Sequence, residues 1–120
     1  MKTIYISHSH SMNYEDEIYK PLLDSKISSI YNLIFPHSVL YDNVDTKEIL
    51  IKSDYLIAEV SYPGTGIGLE IGRAECNNIP VICIIKKGFK CSSSIKRNFE
   101  VIEYSCIEDM IEKLEKMFLK

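Results

Sequence analysis

Residues 63–70 read Pro63-Gly64-Thr65-Gly66-Ile67-Gly68-Leu69-Glu70, so three of the chain's five glycines fall within five positions. Glycine is used where the backbone takes a positive φ or lies against a ligand. A helix is expected from Leu69 to Asn77, which makes residues 61–68 a loop whose free N–H groups face an anion at a helix start. The Gly-Lys-Ser/Thr of a P-loop is missing, and the spacing is not that of a dinucleotide fingerprint. A tight strand-to-helix turn accounts for the glycines equally well. Glu70 sharpens the pattern. In the first turn of that helix its carboxylate would be held ionised by the helix dipole. An ionised carboxylate beside an anomeric carbon is the nucleophile of retaining glycosyl chemistry. A purely electrostatic role at the helix start is the alternative.

Other groups with chemical capacity are scattered. His8, His10 and His37 fall in loops. His8-x-His10 supplies two metal ligands without a third, so solvent-facing or phosphate-contacting imidazoles are the simpler expectation, with protonation of a leaving base as the catalytic one. Glu59 either faces the cleft or pairs with Arg73 or a lysine. Arg73 shares a helix face with Glu70 and could orient it or bind phosphate, with a structural ion pair as the safer reading. Lys86, Lys87, Lys90, Lys96 and Arg97 form a basic segment that is either solvated or attracts a phosphorylated ligand. Tyr62 is placed to stack on a base.

These residues need a scaffold, and the pattern of elements provides one. Strands are expected at Thr3–Ile6, possible at Leu33–Phe35, and expected at Asp54–Val60, Pro80–Ile85 and Phe99–Tyr104. Helices alternate with them, the last an amphipathic one lined by Ile107, Ile111, Leu114 and Phe118. Pro21 interrupts the first helical stretch. Near-continuous apolar strands alternating with helices specify an α/β fold: a single-domain, Rossmann-like or flavodoxin-like three-layer sandwich over residues 1–120 with a mostly parallel sheet of about five strands. Ligands in such folds bind beyond the carboxyl ends of the strands. The polar loops 7–13, 61–68 and 86–94 fall there.

Composition narrows the function class. The chain has 120 residues, 46% hydrophobic and 26% charged, with a net charge of −3. That is an ordinary globular balance, with no basic excess for nucleic acid and no apolar run for a membrane span. No secretory signal pattern opens the chain, so a cytoplasmic location is expected. The four cysteines contain no Cys-x-x-Cys pair and read as free thiols, Cys83 as core.

Residues 54–63 (Asp54-Tyr55-Leu56-Ile57-Ala58-Glu59-Val60-Ser61-Tyr62-Pro63), 66–74 (Gly66-Ile67-Gly68-Leu69-Glu70-Ile71-Gly72-Arg73-Ala74) and 80–83 (Pro80-Val81-Ile82-Cys83) resemble the core motif of the nucleoside 2-deoxyribosyltransferases, shared by the 2′-deoxynucleoside 5′-phosphate N-hydrolases. The resemblance is continuous over 54–85 and weaker at Ile4–Ser9 and Lys86–Lys96. It implies that Glu70 is the nucleophile that forms a covalent deoxyribosyl intermediate and that Tyr5 contacts it or the sugar. It implies that Ser9 holds a 5′-phosphate and that Ser92, or its neighbours Ser93 and Ser94, is a phosphate ligand supplied by a partner subunit. Ser7, His8, Gly64, Thr65, Gly66 and Gly68 complete the implied substrate-binding set. The family's phosphate-loop serine is replaced by Gly64, with Thr65 beside it. Its aspartate eight residues before Asp54 is replaced by Thr46, so Asp45 would have to serve as the third catalytic group.

The resemblance thus implies cleavage or transfer of the N-glycosidic bond of a nucleoside or nucleotide, in a homodimer or higher oligomer, with no metal or organic cofactor. Two alternatives stand beside it. Ile6-Ser7-His8-Ser9-His10 also resembles the opening of TIR-type domains, which implies NAD glycohydrolase activity. Thr46 in place of aspartate fits a nucleotide-binding sensor without turnover.

Overall fold

A computed structural model describes all 120 residues. Five strands, β1 (Thr3–Ser7), β2 (Asn32–Ile34), β3 (Tyr55–Glu59), β4 (Val81–Lys86) and β5 (Glu100–Tyr104), form one sheet in the order β2-β1-β3-β4-β5. Every neighbouring pair is parallel. The expected α/β sandwich is therefore present. The strand order reverses beside β1, so the carboxyl ends of β1 and β3 flank the crevice where such sheets take ligands. Tyr5 pairs with Leu56 and Ser7 with Ala58 across it.

The sheet's two-residue period sorts the side chains. On one face Ile4, Ile6, Ile57, Ile82 and Ile84 pack with the first helical segment and with α6 (Ile107–Phe118). On the other, Tyr5, Leu56, Ala58 and Cys83 pack beneath α3 (Lys47–Ile51) and α4 (Thr65–Cys76). A chain of this length buries enough apolar surface in two such layers to fold without cross-links, and all four cysteines are free. No helix is long and apolar enough to cross a membrane.

Several boundaries differ from the sequence expectation, each for a local reason. The first helical stretch opens as a π-helical turn, Glu15–Tyr19, which runs into α1 (Lys20–Leu23). Pro21 has no N–H to give Glu17, and the widened turn is how the chain accommodates that loss. The ambiguous segment after it resolves into both readings in turn, α2 (Ile27–Ile30) and then β2. A short 3-10 turn (Val39–Tyr41) precedes α3, and α5 (Ser93–Asn98) precedes β5. In α6 the buried stripe is Met110, Leu114 and Phe118, while Ile107 is exposed.

The most consequential shift is in α4, which begins at Thr65 rather than Leu69. Ile67, Ile71 and Ala74 are its buried residues, and their i, i+4, i+7 spacing carries the apolar stripe back into the glycine-rich segment. Gly64, Gly66 and Gly68 all have negative φ; the one glycine with positive φ is Gly88. The positive-φ reading of these glycines is therefore corrected.

Candidate active site

Tyr5 and Ser7 lie two residues apart on β1 and so point to the same face, towards α4. Both hydroxyls donate to one carboxylate: Tyr5 to Glu70 Oε2 at 2.5 Å, and Ser7 to Oε1 at 2.7 Å. Charge-assisted bonds of this kind are short and hold the acceptor in one orientation. Burial and the bond to Glu70 push the Tyr5 phenol well above its ordinary range, so it remains a donor; the facing hydroxyl of Thr46 opposes the rise. With α4 starting at Thr65, Glu70 sits in the second turn, and no acid occupies the first. The expected helix-dipole contribution therefore gives way to two hydroxyls from β1, because the dipole's effect is confined to the terminal turn.

Glu70 forms part of the wall of an open cleft of about 440 Å³. At one end of this cleft lies the start of α4. The N-cap is Gly64, which has no side chain to cap the helix, and the earliest intrahelical bond is donated by Gly68 to Gly64 at 3.3 Å. The N–H groups of Thr65, Gly66 and Ile67 thus have no helical acceptor and suit an anion. A methyl group at Gly66 would meet nothing within 4 Å, whereas one at Gly64 would press on Ile67 Cδ1 at 3.3 Å. Ser9 lines the same end and accepts the Ser11 N–H through its hydroxyl.

The facing wall is aromatic. His8 stacks on Tyr14 at 4.4 Å, and His37 lies 4.9 Å from His8 and 4.0 Å from His10, between ring centroids. His8 is almost fully buried and both its nitrogens are engaged. Nδ1 lies 3.0 Å from the Ser9 carbonyl and Nε2 2.6 Å from the Tyr19 hydroxyl. A carbonyl only accepts, so Nδ1 carries the proton and Tyr19 donates to Nε2. Burial, together with the neighbouring imidazoles, lowers the His8 pKa to about 4. Both ring nitrogens of His8 are thus engaged within the protein, and the ring forms a strut in the cleft wall that it lines. The Tyr19 hydroxyl in turn accepts the His37 N–H, which ties the two histidine loops together.

The remaining expected residues separate. Asp45 is exposed and accepts the Lys47 N–H at the start of α3, and it is not among the cleft-lining residues. Thr46, not Asp45, faces Tyr5. Gly68 and Ser92 line an adjoining groove of about 230 Å³. Glu59 projects to the opposite face of the sheet, where it is buried and accepts bonds from the Ser61 N–H, the Ser61 hydroxyl and the Tyr104 hydroxyl. Neither expected position for Glu59 holds, because the strand's alternation turns it away from α4. Lys86 pairs with Glu17 at 2.5 Å and donates to the Tyr62 hydroxyl at 3.0 Å. Arg73 lines the cleft and is absent from every ion pair of the chain, so its reading as a structural ion pair is corrected. Thr46, His10, His37 and Arg73 are the site residues that spacing alone under-weighted.

No family model matches the chain. Curated relatives do. The chain is 36% identical over 75 residues to a Thermofilum pendens protein named 2′-deoxynucleoside 5′-phosphate N-hydrolase 1, covering 58% of the chain and 52% of that protein. It is 46% identical over 50 residues to the Methanosarcina barkeri protein of the same name, covering 42% of the chain and 31% of the relative. The chain thus spans about half or less of the length of these first relatives. A Danio rerio 5-hydroxymethyl-dUMP N-hydrolase matches over 92% of the chain and 91% of its own length at 27% identity. The solved structure of the CMP N-glycosidase from Clostridium botulinum has the same fold, with a TM-score of 0.76 at 16% identity over 97% of this chain and 99% of that one. In sequence the chain is thus similar to proteins named as 2′-deoxynucleoside 5′-phosphate and 5-hydroxymethyl-dUMP N-hydrolases, and in fold to a CMP N-glycosidase.

Proposed function

We propose that this protein cleaves the N-glycosidic bond of a nucleoside 5′-monophosphate through Glu70. The observation that carries the reading is the Glu70 carboxylate, clamped by Tyr5 and Ser7 at the wall of a cleft whose end is an uncapped helix start. The names of its relatives support the bond and the substrate class. In this reading the 5′-phosphate sits against the N–H groups of residues 65–67, with Ser9 and Thr65 as hydroxyl partners. The sugar then lies along α4 with C1′ at Glu70. One Glu70 oxygen attacks C1′ as the base departs, and water resolves the glycosyl ester, returning the carboxylate. Tyr5 and Ser7 aim the carboxylate, and Thr46 takes the place beside Tyr5 that Asp45 does not occupy. Asp45 is left accepting the Lys47 N–H at the start of α3. The resemblance implies a site completed by a neighbouring subunit, and Ser92, outside the Glu70 cleft of its own chain, is the residue a homodimer would contribute. The free thiols fit a reducing, cytoplasmic setting.

A chromatographic base-release assay tests this. Deoxynucleoside and ribonucleoside 5′-monophosphates, nucleosides and NAD are incubated with and without an acceptor base. Glu70→Gln is expected to lower release by ~10³-fold or more, as removal of a nucleophile does. Tyr5→Phe, which keeps the ring in its buried slot, is expected to lower kcat about 10–100-fold through loss of one bond to a charged group. Binding without release from any substrate would leave a sensor in place of an enzyme.

A further inference from the structure

Gly66, Glu70 and Arg73 stand at i, i+4 and i+7 on α4, one stripe facing the cleft. At ~1.5 Å of rise per residue, Glu70 is about 6 Å along the axis from Gly66, and Arg73 about 4.5 Å further. In the proposed pose this orders three groups along one wall: the phosphate at the helix start, C1′ at Glu70, and the base beyond it. Arg73 is half-buried on the base side. Both Glu70 oxygens are already taken by Tyr5 and Ser7, and no ion pair or cation–π contact engages the guanidinium. Its donors are free in a cleft where Glu70 is the one acidic residue.

We propose that Arg73 binds the leaving base through the acceptor next to its glycosidic nitrogen, a pyrimidine O2 or a purine N3, and stabilises that base as it departs as an anion. The proposal rests on the functional reading above and deepens it. As the C1′–N bond breaks, its electron pair goes to the base nitrogen and is delocalised onto the acceptor that Arg73 holds, while Glu70 bonds to C1′. Water later gives its hydroxyl to C1′ and its proton to the base. No side chain then has to protonate the base before it leaves, which agrees with His8 being neutral and fully engaged. A planar guanidinium suits this contact better than an ammonium because it presents two parallel donors.

The test is Arg73→Gln and Arg73→Lys against two substrate pairs, dUMP with 5-fluoro-dUMP and dAMP with 3-deaza-dAMP. Fluorine makes uracil a better leaving group, and the deaza analogue removes the N3 acceptor. Arg73→Gln is expected to lower kcat on dUMP by about 10–100-fold, the worth of a hydrogen bond to a charged group, and by distinctly less on 5-fluoro-dUMP, with KM little changed. Any preference of the wild type for dAMP over 3-deaza-dAMP should vanish in Arg73→Gln and return in part in Arg73→Lys. Equal losses on both members of each pair, or a rise in KM alone, would overturn the role of Arg73 while leaving the glycosidase reading intact. No base release by the wild-type protein from any nucleotide would overturn both.

Discussion

The chemistry of the cleft depends on which groups are charged near neutral pH, and His8 shows how the fold sets that. Its ring is enclosed by Tyr14, Tyr19 and His37, and removal from water disfavours the imidazolium. The folded chain therefore accepts a proton at His8 only near pH 4, against about 6.5 when unfolded; His37 is shifted in the same direction by burial and by His10. Between these values the unfolded chain binds more protons, so stability falls as pH drops from about 6.5 to about 4 and levels off below. Above 6.5 both states are neutral and the contribution is flat. Thermal unfolding followed from pH 7.5 to 4 should show this descent, and His8→Gln should flatten it. A His8 ring signal that titrates at its ordinary pKa in the folded protein would rule the account out. None of this was legible in the residue string, where His8 reads as a loop residue with a free imidazole. The resemblance singled out Tyr5, Ser7 and Glu70, but not the bonds between them, because a strand's alternation fixes direction only once the strand's partner helix is placed.

At the scale of elements, α4 separates what glycine does for stability from what it does for function. Gly66 and Gly72 both lie in this helix, both have open space where a Cβ would go, and neither has a positive φ. On helix propensity alone each should be improved by alanine, by roughly 0.5–1 kcal/mol in the helix interior and by less near its start. Gly72 is exposed and outside the cleft, while Gly66 lines it beside the unpaired N–H groups. Gly72→Ala should therefore raise the unfolding free energy and leave base release unchanged. Gly66→Ala should not destabilise the fold yet should raise KM for 5′-monophosphates about tenfold or more, since a methyl stands where the phosphate approaches. Denaturant melts beside steady-state kinetics decide it; an unchanged KM in Gly66→Ala would mean that the anion is held elsewhere. The sequence pointed at this segment correctly and misread its conformation. Three glycines signalled a loop, while the Ile67, Ile71 and Ala74 spacing already carried the helix back to its true start.

At the scale of the whole molecule, the mostly parallel sheet with helices on both faces was readable from alternating apolar strands and helices, because burial on both faces leaves few other arrangements, while the order of the strands was not. The expected site residues are less gathered. One chain brings Glu70, Tyr5, Ser7 and Ser9 together but leaves Ser92 in the adjoining groove, separated by the Pro63–Ile67 segment that lines both. Val39, Leu40 and Leu69 stand exposed, Leu69 on the cleft wall and the other two just after His37, and such apolar residues are suited to a protein contact. If Ser92 of the partner subunit completes each site, two inactive variants must complement each other. Glu70→Gln lacks the nucleophile in its own cleft, and Ser92→Ala fails to complete its neighbour's. In a mixed dimer one of the two sites combines an intact Glu70 with an intact Ser92, and the other carries both substitutions. Random reassortment puts half the molecules in mixed dimers, so about a quarter of wild-type activity should return on mixing, and the return should require subunit exchange. Sedimentation over a concentration series would establish the dimer independently. If mixing restores nothing beyond the sum of the two variants while sedimentation shows a dimer, each subunit's site is self-contained and Ser92 belongs to the groove on its own chain.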